Sequence, residues 1–484
     1  MPPLSGLTVS EHAGYGMPFE STNPNDNVWA VDSMPRVQPL ISIIYAREPL
    51  FFNPQPTAHN MRTVYLDVGP MAHLAGKGSL NGHSLLDVES LVSVPGKGIV
   101  VVGNTIETIA DSDELMEEYG NANTKDVGDS ETKVVSLNGN AVIPGLVDSH
   151  THLLWAGDRS REVLWRHSGK SYQEISKLGG GIQDTVRSTS QASDEDLLKL
   201  GYTRMRAALR SGTTHLEAKS GYGLTTDSEL RLLQIASKLR AMEHLPSLDL
   251  TWLGAHDSPS GMDVNGYVEQ ILSDQLPKVL EQGLARSADV FCEPGWFTVE
   301  HSEDILKSAR TGGLDIRIHI DEFKDGGGGD LAADLNVVTA DHSHYTNHDS
   351  RIRMEEAGVN TGFLPGTPYA MGAEWPNFND SIENEFTWSV ATDFNPNCKT
   401  ISMPFMGSLL TQRCSVHPLA ALIAATRNPS ETTPHATGKI HGRLEVGAIA
   451  NFNVIDGKYW EAWCMQPSHS PFVSTCLEGN LIHH

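Results

Sequence analysis

Eight short apolar runs, each followed by an amphipathic or polar stretch, constrain this chain more than any other feature. The runs are "LVDSHTH", "TTHLEAKS", "LDLTWLGAH", "ADVFCEP", "DIRIHIDE", "VVTADHSHY", "NTGFLPG" and "WSVATDFNP". Stretches such as "SELRLLQIASKLRAMEH" and "SEDILKSARTGG" lie between them. That alternation is the pattern of repeated strand–helix units on a parallel sheet. Eight units over about 290 residues predict an α/β fold of the (β/α)8, TIM-type barrel, which typically takes ~250 residues. Thr226, with Glu229 three positions on, reads as a capping box opening the helix of the second unit.

Nearly every run ends in a chemically capable side chain: His152, Lys219, His256, Glu293, His319 with Glu322, His342 and Asp393. In a parallel barrel the carboxyl ends of the strands meet on one face, where active sites of this fold are built. The flanks differ from the middle. "LISIIYA", "GIVVVGNTIETIA" and "KVVSLNGNAVI" on one side, and "GRLEVGAIANFNVID" and "STCLEGNLIHH" on the other, read as strands and turns. The expected organisation is an irregular extension over 1–37, a small β-rich domain composed of 38–143 and 435–484, and the barrel over 144–434. Within the first flank, "PQPTAHNMRTVYLDVGPMAHLAGKGSLNGHSLL" reads as an insertion.

Bulk composition narrows the partners. The 484 residues are 39% hydrophobic, sufficient for a large core. The formal charge of -25 opposes nucleic acid and anionic membrane surfaces, so a small molecule is the expected partner. Five sparse cysteines without a C-x-x-C pair suggest no disulfide framework and a reducing, cytoplasmic setting. The first 37 residues lack the pattern of a signal or transit peptide, and the apolar runs are far shorter than the ~18 residues of a spanning helix.

His150 and His152 are two apart on an extended segment, so both side chains project to one face and can reach one ion. His319 at the end of the fifth run and Asp393 at the end of the eighth add an imidazole and a carboxylate. Such a set suits zinc or ferrous iron with a position left for water. The fourth run ends in "FCEPG", with no lysine for a carbamate bridge, so one metal is expected. A bound cation lowers the pKa of its water to about 7. Glu322, three residues beyond His319, is the expected proton carrier. His256 and His342 are candidates to polarise a carbonyl or to orient Glu322. Arg159 offers a guanidinium fork to a substrate carboxylate, with a salt bridge to a neighbouring acid as its ordinary alternative. Tyr222, between Gly221 and Gly223, offers a directional hydroxyl where the backbone can approach a ligand.

In order, "PGLVDSHTH", "EAKSGYGL", "WLGAH", "IHIDEF", "ADH", "LPGT" and "ATDFNP" make the chain resemble the imidazolonepropionase family of the amidohydrolase superfamily. "KSGYGL" and "TDFNP" are the specific elements; the histidine pair marks only the superfamily. The resemblance implies a barrel beside a β-rich domain from both chain ends, one zinc or iron ion per subunit, and a homodimer. It implies hydrolysis of 4-imidazolone-5-propanoate to N-formimidoyl-L-glutamate in histidine degradation. Carried over by motif, His150, His152, His319 and Asp393 hold the metal. Arg159, Tyr222, His256, Glu322 and Asn395 contact substrate or product, with Asn397 beside them. Here the chain departs from a "DFNPG" pattern, having Asn397 and Cys398 after the proline. Glu322, His256, His342 and Asp393 are the expected catalytic groups. The competing readings are a deaminase of the same superfamily acting on a cyclic amidine such as a nucleobase, and a non-catalytic scaffold of the same fold.

Overall fold

Strand order on the principal sheet follows the chain, and every neighbour pair is parallel. The computed structural model describes residues 61–120 and 132–484; the extension over 1–37 and the run "LISIIYA" lie outside them. The eight barrel strands are β1 (Leu146–Asp148), β2 (Thr213–Lys219), β3 (Ser247–Ala255), β4 (Ser287–Cys292), β5 (Ile318–Ile320), β6 (Thr339–His342), β7 (Asn360–Phe363) and β8 (Trp388–Val390). Parallel pairing runs from β1 through to β8. The fifth stave has a preceding piece, Asp315–Ile316, split from β5 at Arg317.

The seam between β8 and β1 closes just past the strand ends. Thr151 bridges Phe394 in parallel, the His152 amide donates to the Phe394 carbonyl at 2.9 Å, and the Asp393 amide to the His150 carbonyl at 3.2 Å. Below them the Asp148 carboxylate accepts from the Thr392 amide (2.9 Å) and hydroxyl (2.6 Å). The seam therefore fixes the backbones of His150, His152 and Asp393 against one another.

The surrounding helices form for local reasons. Asp194–Arg210 starts at Ser193, whose hydroxyl accepts from the Asp196 amide, and carries Asp194, Glu195 and Asp196 in its first turn, where they oppose the positive helix end. From its buried face, Leu197, Met205 and Ala208 join the main core with Leu216, Leu250, Trp252 and Ile318. The helix of the second unit, Thr226–Arg240, is capped by Thr225, not Thr226. Glu229 does not return to a cap. Its buried carboxylate accepts the amides of Gly221, Gly223 and Leu224 at 2.7–2.9 Å, clamping the loop that carries Tyr222. The capping-box reading fails because these loop amides are nearer claimants on the carboxylate.

Inside the barrel the layer under the mouth is ionic. Lys219 Nζ lies 2.8 Å from Glu217 Oε1 and 2.6 Å from Asp289 Oδ2. Arg317 Nη1 reaches Glu217 Oε1 at 3.2 Å and the Ser149 carbonyl at 3.0 Å. All five of these groups, with Asp341, are buried.

The chain flanks form two further sheets. One runs Asn480–His483, Phe472–Leu477, Phe452–Ile455, Val142–Pro144, Met71–Ala72, Val92–Ser93, and so joins strands from both ends of the chain. The other runs Thr105–Asp111, Lys97–Val102, Arg62–Val68, Thr132–Ser136. Within the stretch read as an insertion, "RTVYLDV" is an inner strand of that sheet, paired on both sides. The stretch after it is bound to the barrel: Arg427 donates to the carbonyls of Leu74, Ala75, Lys77 and Gly78. Among the described residues no helix is long and apolar enough to cross a membrane.

Candidate active site

His150 and His152 leave the closed seam toward the barrel mouth, and His319 comes to them from the end of β5. Ring centres lie 5.5 Å apart for His150 and His152, 4.4 Å for His150 and His319, and 5.6 Å for His152 and His319. Asp393 Oδ1 is 3.6 Å from His150 Nε2 and 3.7 Å from His152 Nε2. One donor atom from each of the three histidines falls within 4.8 Å of the others, and the same holds for His150, His342 and Asp393. All five side chains are buried.

The hydrogen bonds behind these rings decide what the rings can do. His150 Nδ1 is 2.7 Å from Asp341 Oδ2 and His319 Nδ1 is 3.0 Å from Asp289 Oδ1. A carboxylate only accepts, so each Nδ1 carries the proton and each Nε2 keeps its lone pair. Those two Nε2 atoms are buried without a hydrogen-bond partner. A buried unpartnered acceptor costs free energy, whereas imidazoles oriented by carboxylates with the far nitrogen free are the usual ligands of a divalent cation. Burial, with Lys219 and neighbouring rings, holds His150 well below the usual imidazole range, and burial with His256 and His319 does the same for His152. Both rings are thus neutral. The donor set fits a zinc or iron ion.

Asp393 (φ +50°) and His342 (φ +66°) both adopt left-handed backbone, which is uncommon outside glycine and concentrates at functional sites. Thr367 fixes the Asp393 carboxylate through a 2.5 Å hydrogen bond to Oδ2.

Above the donor set, a pocket of about 440 Å3, open mouth included, is lined by His152, Arg159, Tyr222, His256, Glu322 and Asn395 among others. A concave site lined by aromatic rings and a few convergent polar groups suits a small molecule. Glu322 is partly buried, its side chain 14% exposed, and desolvation together with the charges of Asp393 and Glu293 raises its carboxyl well above the usual range. Its Oε2 is 3.6 Å from His342 Nε2. Glu293 spends its own carboxylate on the amides of Glu322 (2.9 Å) and Phe323 (3.3 Å), so it positions the Glu322 backbone.

His256 Nδ1 is 2.9 Å from the Gly221 carbonyl, which requires Nδ1 to donate. Burial lowers this imidazole to about 3, so the neutral ring offers a lone pair at Nε2. The expectation that His256 polarises a carbonyl is revised accordingly: this nitrogen accepts a hydrogen bond. Gly221 has φ +99°, and a Cβ there would sit 3.0 Å from His256 Nδ1, so glycine is required for this contact.

Arg159 is in the pocket, but its fork is engaged. Nε and Nη2 donate to Glu162 at 2.8 and 2.9 Å, leaving Nη1 as the guanidinium nitrogen without a hydrogen bond among the described residues. Asn395 is also committed: its Oδ1 accepts the amides of Asn397 (2.7 Å) and Cys398 (3.0 Å), and its Nδ2 donates to the Asp393 carbonyl (2.9 Å). The Asn397 side chain accepts from Arg166. Sequence reading missed Glu162, Asp289 and Asp341, which orient other side chains, and the aromatic wall of Tyr172, Phe291, Trp296 and Phe323, whose ring centres lie 5.1–6.5 Å apart. The i,i+3 spacing of Arg159 and Glu162 was the one available signal for Glu162.

No family model matches the chain. Among curated relatives, it is 37% identical over 350 residues to "Imidazolonepropionase" of Haloarcula marismortui, covering 72% of this chain and 81% of that one. It is 36% identical over 397 residues to "Imidazolonepropionase" of Desulfotalea psychrophila, covering 81% and 93%. Among solved structures, 5-methylcytosine deaminase from Klebsiella pneumoniae superposes with TM-score 0.62 at 15% identity over 87% of this chain and 97% of that one. An adenosine deaminase from Xanthomonas campestris with bound zinc superposes with TM-score 0.60 at 14% identity over 87% and 92%. These structural likenesses speak to the fold; the identity shared with the curated relatives over most of both chains shows that this chain belongs to the imidazolonepropionase family.

Proposed function

We propose that this protein hydrolyses the ring amide of 4-imidazolone-5-propanoate to N-formimidoyl-L-glutamate, a step of L-histidine degradation, using one zinc or iron ion held by His150, His152, His319 and Asp393. The observation that carries the reading is a single pocket in which carboxylate-oriented imidazoles with free Nε2 atoms, a carboxylate and the partly buried Glu322 stand together. When bound, the ion supplies Lewis acidity, an acidified water and a positive charge that offsets Asp393. As a carboxylate, Glu322 would take a proton from the attacking water and return it to the departing ring nitrogen as the C–N bond breaks. His342 Nε2, beside Glu322, steadies its carboxyl group through the transfer. His256 Nε2 accepts a ring N–H of the substrate, and the Tyr222 hydroxyl adds a directional contact. Arg159 Nη1, its guanidinium plane fixed by Glu162, binds the propanoate. Asn395 and Asn397 shape the loop after Asp393 that encloses the product.

Incubating the purified protein with imidazolonepropanoate is expected to yield formimidoylglutamate. Ammonia release from cytosine or guanine, without ring opening of imidazolonepropanoate, would replace this reading with a deaminase. Dialysis against a chelator is expected to remove the pocket ion and activity together, and zinc or ferrous iron to restore both; full activity in metal-free protein would refute the ion's role. Arg159→Ala is expected to raise KM about 10- to 100-fold, the range for one charged hydrogen bond, with kcat changed much less because the propanoate is held alike in ground and transition states. An unaltered KM would remove Arg159 from the carboxylate site. All five cysteines are unpaired, which supports a reducing cytoplasmic setting; we further propose a homodimer acting on a free metabolite, to be checked by light scattering.

A further inference from the structure

A second group of histidines sits away from the pocket. His215 belongs to β2, at its amino-terminal half, while His435 and His441 lie on the segment leading from the barrel into the strand Phe452–Ile455. All three are buried. Their ring centres are 4.7 Å (His215 and His441), 5.9 Å (His215 and His435) and 6.0 Å (His435 and His441) apart. The trio at the pocket has separations of 4.4–5.6 Å. Three imidazoles around one tetrahedral ion, with metal–nitrogen bonds near 2.0–2.1 Å, place their ring centres roughly 5 Å apart.

His215 Nε2 and His441 Nδ1 are buried without a hydrogen-bond partner, and His435 Nε2, buried as well, faces only the Glu478 carboxylate among the side chains paired with it. The opposite nitrogens are engaged. His441 Nε2 donates to the Thr433 carbonyl at 2.9 Å, so Nδ1 carries a lone pair. His215 Nδ1 lies 2.7 Å from Ser247 Oγ, whose proton goes to the Thr214 carbonyl; the ring therefore donates and Nε2 carries a lone pair. His435 Nδ1 accepts the Thr437 amide at 3.3 Å and lies 2.8 Å from Thr437 Oγ1, so its Nε2 holds the proton beside Glu478; an ion at Nε2 requires that proton to move to Nδ1, where Thr437 Oγ1 can accept it. A carboxylate is also at hand: Glu478 Oε1, on the turn between the last two strands, is 3.4 Å from His435 Nε2 and half-exposed, giving a route from solvent.

We propose that His215, His435, His441 and Glu478 form a second, structural site for a borderline divalent cation such as zinc. Neutral imidazoles plus one carboxylate are the donors such an ion takes, and four protein ligands close the site to chemistry. The arginines nearest the trio do not oppose an ion with free charge: Arg286 pairs with Asp249 and Asp315, Arg317 with Glu217, and Arg443 with Glu431 and Glu445. The donor atoms are spread more widely than those at the pocket, which alone fall within 4.8 Å of one another among the described residues, so an ion draws these rings inward. In doing so it ties β2 to both the connecting segment and the last hairpin.

The test counts ions on the full chain. Wild type and His435→Gln/His441→Gln are dialysed against a chelator, titrated with zinc alone and assayed by atomic emission. Wild type is expected to bind one equivalent more than the variant, whatever the loading of the pocket, and its Tm to rise at that equivalent. Equal stoichiometry would overturn the site. Glu478→Gln, at a half-exposed turn, decides the matter if the double variant does not fold: it is expected to weaken the extra equivalent by at least about tenfold, and unchanged affinity would overturn the proposal.

Discussion

Glu322→Gln is expected to lower kcat by about 10²- to 10⁴-fold, the range that a positioned acid–base group contributes, with KM within a few-fold of wild type. The amide keeps the volume of the side chain, so the aromatic wall around Phe323 need not repack. The backbone stays in place as well, because Glu293 holds the amides of residues 322 and 323. What the amide cannot do is carry a proton from water to a leaving nitrogen. Hydrolysis of an unstrained amide nitrogen requires that transfer, since an expelled nitrogen anion is a poor leaving group. The ion content should be unchanged, because Glu322 is in neither of the donor groups that converge on Asp393 and the histidines. Steady-state kinetics with metal analysis on the same preparation checks both points. Turnover within threefold of wild type would assign the proton transfer to another group, with His342, 3.6 Å away, first in line.

The barrel was legible because its information is local. Each strand reads as a short apolar run, each helix as an amphipathic stretch, and their alternation limits the topology to few choices. The polar ends of the runs were legible for the same reason: strand ends of a parallel barrel share a face without any knowledge of register. Asp341 and Asp289 were not legible as partners of His150 and His319. Those pairs depend on how far β4, β5 and β6 slide past β1, and adjacent letters such as Asp341 and His342 give no hint that one bonds across the barrel while the other faces Glu322. Arg159 shows the same limit from another side. Its presence in the pocket followed from sequence distance to His152, but the occupation of its fork by Glu162 depends on the start of the short helix Glu162–His167. The strand Arg62–Val68 did carry a short apolar, β-branched and aromatic run in "RTVYLDV". It was obscured by turn-forming residues on both sides, and only its pairing with Lys97–Val102 and Thr132–Ser136 reveals it.

Lys219→Met should destabilise the fold by about 3–5 kcal/mol, the cost of stripping one partner from a buried ion pair. Lys219 is inaccessible to solvent, and burial alone would favour its neutral form; the charges of Asp289, Glu217 and Asp341 outweigh that and raise its pKa. Methionine fills the volume but leaves those three carboxylates with Arg317 as the remaining buried cation bonded to the group among the described residues. Removing a second charge separates electrostatics from packing: Lys219→Met/Glu217→Gln should regain part of the loss, because neutralising both members removes the uncompensated carboxylate. Thermal unfolding of wild type, single and double variants closes the cycle, with Tm for Lys219→Met lower by roughly 3–5 °C. The same lysine also governs the site, since Asp289 divides its two oxygens between Lys219 Nζ and His319 Nδ1. A displaced Asp289 lets the His319 ring turn, so the variant should bind its pocket ion more weakly even at temperatures where it is folded. If Lys219→Met melted with wild type and held its ion as tightly, the ionic layer would be a passenger in the barrel and not the frame that aims the histidines.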